Sequence, residues 1–154
     1  YALRFAGLPF SFPFTREDRQ RNLEIAVEHY LAAGEALSVR LPSPSPDAPP
    51  VLVSRGWLHA SIGAASALAA MPLAARYWPV AGVRSNEECA VAMLRRSVAV
   101  LDKALAGRPS DEAELRLDWI QAKWELANCL ERSAAHGQHR AEAARHRADL
   151  RQHQ

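Results

Sequence analysis

Four histidines crowd the last part of the chain, His136, His139, His146 and His153, with Cys129 upstream of them. Imidazole and thiolate are the common ligands of zinc, so this cluster is the first to weigh for chemistry. Ligands from one helix need spacings of three or four, whereas His139, His146 and His153 are seven residues apart. They share one helical face at two-turn intervals, too far apart for one ion, and read as a solvated, weakly basic face. No metal site is expected. The chain also has no Gly-rich phosphate loop, no Cys-x-x-Cys pair and no nucleophile motif. His59, on an Ala-rich stretch, reads as a structural histidine rather than a base. The expectation is a chain that is not an enzyme and has no cofactor and no small-molecule substrate.

What remains is surface. Glu114, Asp118, Gln121, Glu125, Asn128 and Arg132 recur at spacings of four and three. They form a polar stripe opposite Leu115, Trp119, Ala122, Leu126 and Leu130. From Arg132 onward five arginines face only Glu142 and Asp149, with no aromatic residue to stack on a base. Nucleic acid is therefore a poor candidate partner. Lys and Arg exceed Asp and Glu only by 19 to 17, which points the same way. Trp57, Tyr77, Trp78, Trp119 and Trp124 read as core aromatics.

The elements that carry these residues are helical. Residues 1–14 form an aromatic segment interrupted by Pro9 and Pro13. "TRED" from Thr15 supplies a hydroxyl cap and an acidic first turn. Leu23, Ala26, Val27, Tyr30, Leu37 and Leu41 then mark a helix over about 18–40, and "PSPSPDAPP" reads as a stiff connector. A helix rich in small residues occupies 53–75. "SNEE" at Ser85 has the form of a capping box. It precedes a stripe of Val91, Leu94, Val98, Leu101 and Leu105 that ends at Gly107 and Pro109. Two more helices are predicted, over 111–135 and 138–152. Apart from the short run "PVLVS", nothing alternates with the period of two that a strand would show.

"NLEIAV" at Asn22 and "NEECAV" at Asn86 share Asn-x-Glu-x-Ala-Val at a shift of 64 residues. The same shift pairs Tyr30 with Leu94, Leu37 with Leu101, Leu58 with Ala122, Ile62-Gly63 with Leu126-Ala127, and Ala65 with Cys129. A third, weaker copy matches Arg140, Glu142 and Ala144 to Asn86, Glu88 and Ala90 at a shift of 54. The repeating unit is a helix pair with small residues at the contact on both sides. "WELANCLERSAAHGQHRAEAARHRADL" and "WLHASIGAASALAA…AGVRSNEECAVAMLRRSVAVL" resemble the tetratricopeptide repeat family, with long turns inside each repeat. The tyrosine expected near the end of the first helix and the proline expected after the second are absent.

The fold expected is a single all-α domain of antiparallel helix-pair repeats, about five to six helices, as a short solenoid or a compact bundle. Its parts are a partial repeat at 15–41, a Pro-rich connector at 42–52, and repeats at 53–107 and 110–152. The resemblance implies a protein–protein interaction module or scaffold whose first helices line a groove for a protein or peptide. The groove residues are then His59, Asp118, Gln121, Glu125 and Asn128. The alternative is an accessory subunit of a larger assembly. It rests on Gly56 to Ala75, which carry no formal charge and are flanked by Trp57 and Tyr77-Trp78, the marks of a single transmembrane helix. Cys89 and Cys129, both within predicted helices, favour a reducing compartment such as the cytoplasm. The rival setting is an organellar or membrane-associated complex.

Overall fold

Thr15 opens the first helix as its type predicts. Its Oγ1 accepts from the Asp18 amide at 3.1 Å, and the Asp18 carboxylate accepts from the Thr15 amide at 3.0 Å. Two amides that no helical carbonyl can reach are thereby satisfied. In a computed structural model, this start leads into an all-α fold, α1 (Arg16–Val39), α2 (Arg55–Ala70), α3 (Asn86–Ala106), α4 (Ala113–Arg132) and α5 (Gly137–Gln152). The structure describes residues 15–39, 55–71, 77, 82–106, 113–133 and 137–153, and among these there is no strand. The aromatic segment 1–14, the connector at 42–52 and Trp78 lie outside the described residues.

The cap of α3 departs from the simple box. Ser85 Oγ accepts from the Glu88 amide at 3.1 Å, but Glu88 reaches past Ser85 to the Arg84 amide at 2.7 Å. Gly82, just upstream, turns the chain with φ +88°, a conformation open to glycine at little cost.

Packing follows chain order. α1 packs on α2, α2 on α3, α3 on α4 and α4 on α5, and α2 also touches α4. Tyr30 meets Gly63 while Gly34 meets Ala60, so α1 and α2 run antiparallel. Asn128 with Arg147 and Lys123 with Asp149 show the same for α4 and α5. Burial obeys the shift of 64. Ala26 and Ala90, Val27 and Val91, Leu58 and Ala122, Ile62 and Leu126, and Ala65 and Cys129 are all buried. Gly63 and Ala127 are buried as well. Tyr30 is only partly buried where its counterpart Leu94 is fully so. A β-carbon on Gly63 would lie 2.6 Å from the Tyr30 ring, so the ring uses the space glycine leaves.

The third copy is out of phase with the shift of 54. Ala143, not Ala144, is buried, at 1% exposure. One residue is 100° around a helix, so the match at Ala144 does not mark the contact.

The rival reading of 56–75 as a membrane span falls partly outside the described residues, which stop at Met71 here. α2 covers 16 residues, about 24 Å at 1.5 Å per residue, against a hydrocarbon core of about 30 Å. No helix among the described residues is long and apolar enough to cross a membrane. The small residues of α2 instead serve packing: Ala60, Gly63, Ala64, Ala65 and Ala67 are buried in a helix that contacts α1, α3 and α4.

α5 is held differently from the rest. Its buried apolar residues are Ala143 and Leu150. Around them run charged contacts. Arg95 of α3 grips Glu142 at 3.0 and 2.6 Å, and Arg147 grips Glu131 of α4 at 3.0 Å through two nitrogens. Lys123, 5% exposed, places its ammonium 2.5 Å from Asp149 and 4.4 Å from the centre of the Trp119 ring. The face predicted as solvated is the docking face. His139 bonds Ser133 at 3.0 Å, the His146 side chain is 15% exposed, and His153 sets its ring edge-on to Trp119 at 5.0 Å. A spacing of seven keeps these rings on one face, and that face lies toward Trp119 of α4 and Ser133 just past its end, with His153 still exposed at the rim.

Two predictions follow from the packing. Ala90→Leu and Ala127→Leu each cost about 1–3 kcal/mol by overpacking, read as a fall in denaturant midpoint. Gly63→Ala acts in the same direction, and its cost shrinks in a Tyr30→Ala background because the clashing ring is gone. Equal costs in both backgrounds would show that the ring is not what the new methyl meets.

The second concerns α5 in acid. The Arg95 hydrogen bond holds Glu142 below the ordinary carboxylate range, that of Arg147 does so for Glu131, and that of Lys123 for Asp149. Burial pushes the His146 imidazole down, and the Lys123 charge adds to it. A depressed folded-state pKa contributes stability above the ordinary value that is lost as pH falls through the folded one. Loosening therefore begins below about pH 6.5 through His146 and continues below about pH 4 through the carboxylates. In hydrogen exchange followed by mass spectrometry, α5 loses protection before the other four helices as pH falls. Protection falling evenly across all five helices would count against separate anchoring.

Candidate functional site

A set of polar side chains joins α2 to α4. Arg55 Nε donates to Asp118 Oδ2 at 3.0 Å and its Nη1 pairs with Glu114, while His59 Nε2 lies 3.0 Å from Asp118 Oδ1. The residues are one turn apart on each helix, Arg55 and His59 facing Glu114 and Asp118, so the two helices run parallel here. A carboxylate can only accept, so His59 Nε2 is the donor in this contact. Asp118 is 6% exposed and takes donors on both oxygens.

Beside this contact lies a cleft of about 470 Å³ between α1, α2 and α4. Its walls include Tyr30 and Ala33 of α1, Gly56 and His59 of α2, and Asp118 and Gln121 of α4. Three of the five sequence-predicted residues, His59, Asp118 and Gln121, are thus brought together. Glu125 is half-buried and does not line the cleft. Asn128 is drawn to α5, where its Oδ1 accepts from Arg147 Nη2 at 2.5 Å. A second cleft of about 430 Å³ shares Tyr30 and is also lined by Trp57 and Arg96, whose guanidinium sits 5.1 Å from the ring centre.

Two sequence expectations need correction. Asp118 was predicted to point away from the core, yet it is buried, because Arg55 and His59 cover it from α2. Trp124 was predicted as core and is 51% exposed. Trp119 and Trp124 are five residues apart and hence about 140° apart around the helix, so one inward tryptophan turns the other out. Arg55 was not singled out in the sequence. The signal that could have found it is the matched pair of one-turn spacings, Arg55 with His59 and Glu114 with Asp118.

Among the described residues no group of three or more His, Cys, Asp and Glu side chains is arranged to hold a metal ion. Comparison of the chain with protein-family models, with curated proteins and with solved structures finds no match.

The burial of Asp118 generates a contrast. Asp118→Ala leaves two donors without their acceptor and costs about 1–3 kcal/mol, reduced where the half-exposed His59 and Arg55 rehydrate. Gln121→Ala, at an exposed position, changes stability by less than about 0.5 kcal/mol. Thermal melts of the two variants measure the difference, and equal melting points would place Asp118 among solvated residues.

Proposed function

We propose that the chain is a non-catalytic protein-interaction module, tetratricopeptide-like in organisation, that binds a segment of a partner protein along the cleft between α1, α2 and α4. The observation that carries this reading is the cleft itself. It gathers His59, Asp118 and Gln121 onto a floor of small residues from α2, open enough for a chain to lie in. Parallel first helices with a shared groove suit an extended or helical segment better than a compact small molecule. The exposed Gln121 and the nearby Glu125 favour a basic or amide-rich segment, the exposed Glu114 being already paired with Arg55. The role is that of a scaffold or adaptor within a protein complex.

The test fills the cleft without touching the core. Ala33 is exposed on α1, so Ala33→Trp leaves the thermal midpoint near that of the parent and blocks the groove. Partners captured by the parent from its native extract are lost by this variant, and capture weakens as salt rises from low to physiological strength. An unchanged partner set with an unchanged melt would move the binding surface away from the cleft.

A further inference from the structure

α4 carries both large apolar side chains that stand exposed among the described residues, Leu117 at 64% and Trp124 at 51%. They are seven residues apart, and Gln121 lies between them on the same face, with Asn128 one turn on. Gln121 also lines the cleft. The exposed strip is therefore continuous with the groove wall.

The other described tryptophans already show what such rings hold in this protein. Arg96 lies over Trp57 at 5.1 Å, and Lys123 over Trp119 at 4.4 Å. Among the described residues no cation lies over Trp124. The cations of α2 and α5 that reach α4 are committed elsewhere, Arg55 to Asp118 and Glu114, and Arg147 to Glu131 and Asn128. On the groove side of the strip stand Glu114 and Glu125, both acidic. The ring face is free, and since Arg55 already pairs with Glu114, Glu125 beside the ring is the acid that can attract a further cation.

Resting on the groove reading above, we infer that Trp124 is the anchor of the binding surface and takes an arginine or lysine side chain of the partner segment. The ring quadrupole attracts the cation, the acidic edge complements its charge, and Leu117 supports an apolar neighbour two to four residues along the segment. An exposed tryptophan beside smaller polar groups is also the residue type that most often dominates an interface. The occupant is a peptide segment with a basic residue next to an apolar one. A neutral apolar helix or an acidic peptide does not fit this surface.

The probe is a displayed library of random twelve-residue peptides selected on the full chain. Enriched peptides carry Arg or Lys within four residues of Leu, Ile or Phe. Replacing that basic residue by neutral, nearly isosteric citrulline or norleucine lowers affinity about tenfold. Trp124→Ala lowers it by a similar factor, Trp124→Phe restores part of it because a ring face remains, and circular dichroism melts confirm that both variants fold. Peptides that lose binding on Ala33→Trp but keep it on Trp124→Ala would overturn the anchor and leave the groove standing. Enrichment of acidic or purely apolar sequences would overturn the cation, and a library that yields no binder would overturn groove and anchor together.

Discussion

The distance between helix axes in this fold is set by how little stands between the backbones. Gly63 gives its space to the Tyr30 ring, and Ala26, Ala60, Ala90, Ala122 and Ala127 keep side chains at the contacts to a single methyl group or less. Leucines then meet across the gap: Leu58, Leu94, Leu101, Leu126 and Leu130 are almost wholly removed from water. Each contributes on the order of 1.5–3 kcal/mol, and dense packing leaves little slack around them. The polar contact of α2 with α4 depends on the same closeness. His and Asp side chains are short, and a 3.0 Å contact between them requires helices held near one another.

The molecule divides by the kind of force that holds each part. α1 to α4 share an apolar interior, whereas α5 is attached by paired charges around two small apolar contacts. Burying Lys123 is costly for its own sake. The nearby Asp149 and the Trp119 ring offset that cost but do not turn it into a large net gain. What such an arrangement confers is a defined seat: an apolar helix can slide by a turn, but an ammonium under an indole and beside one carboxylate cannot.

Much of this was legible in the sequence because it is written locally. The Thr15 cap, the five helices, the apolar stripes and the small residues matched at a shift of 64 each depend on residues close together in the chain. The failures share a different cause. Whether Asp118 faces water, whether Trp124 is inside, and which way the His139–His146–His153 face turns are all questions of helix phase among polar or mixed residues. A helix does not settle its own phase when two faces are nearly equal in polarity. The neighbour settles it: Arg55 and His59 for Asp118, and Trp119 and Ser133 for the histidines. The match at Ala144 failed because a shared letter pattern was followed where the helix had slipped by one position. The cleft was half legible, since His59, Asp118 and Gln121 were named, while Tyr30, Ala33 and Gly56 come from a helix pair whose closeness only packing reveals.

Contacts that run from each helix to the next in the chain also govern how the chain finds this arrangement. Among the described residues most contacts are made between elements adjacent in sequence, the α2–α4 touch and the Arg95–Glu142 pair of α3 with α5 being exceptions, so the search is mostly a series of short closures. The links differ in length, residues 133–136 between α4 and α5 against 40–54 between α1 and α2. A fourfold longer loop adds only about 1.2 kcal/mol of closure entropy. Loop length therefore ranks the pairs weakly, and apolar area ranks them strongly. On this ranking the expected order of assembly starts where the leucines are, among α2, α3 and α4, and spreads outward to both ends. The last helix joins a surface already built, so its departure and return can occur many times within the lifetime of a single folded molecule.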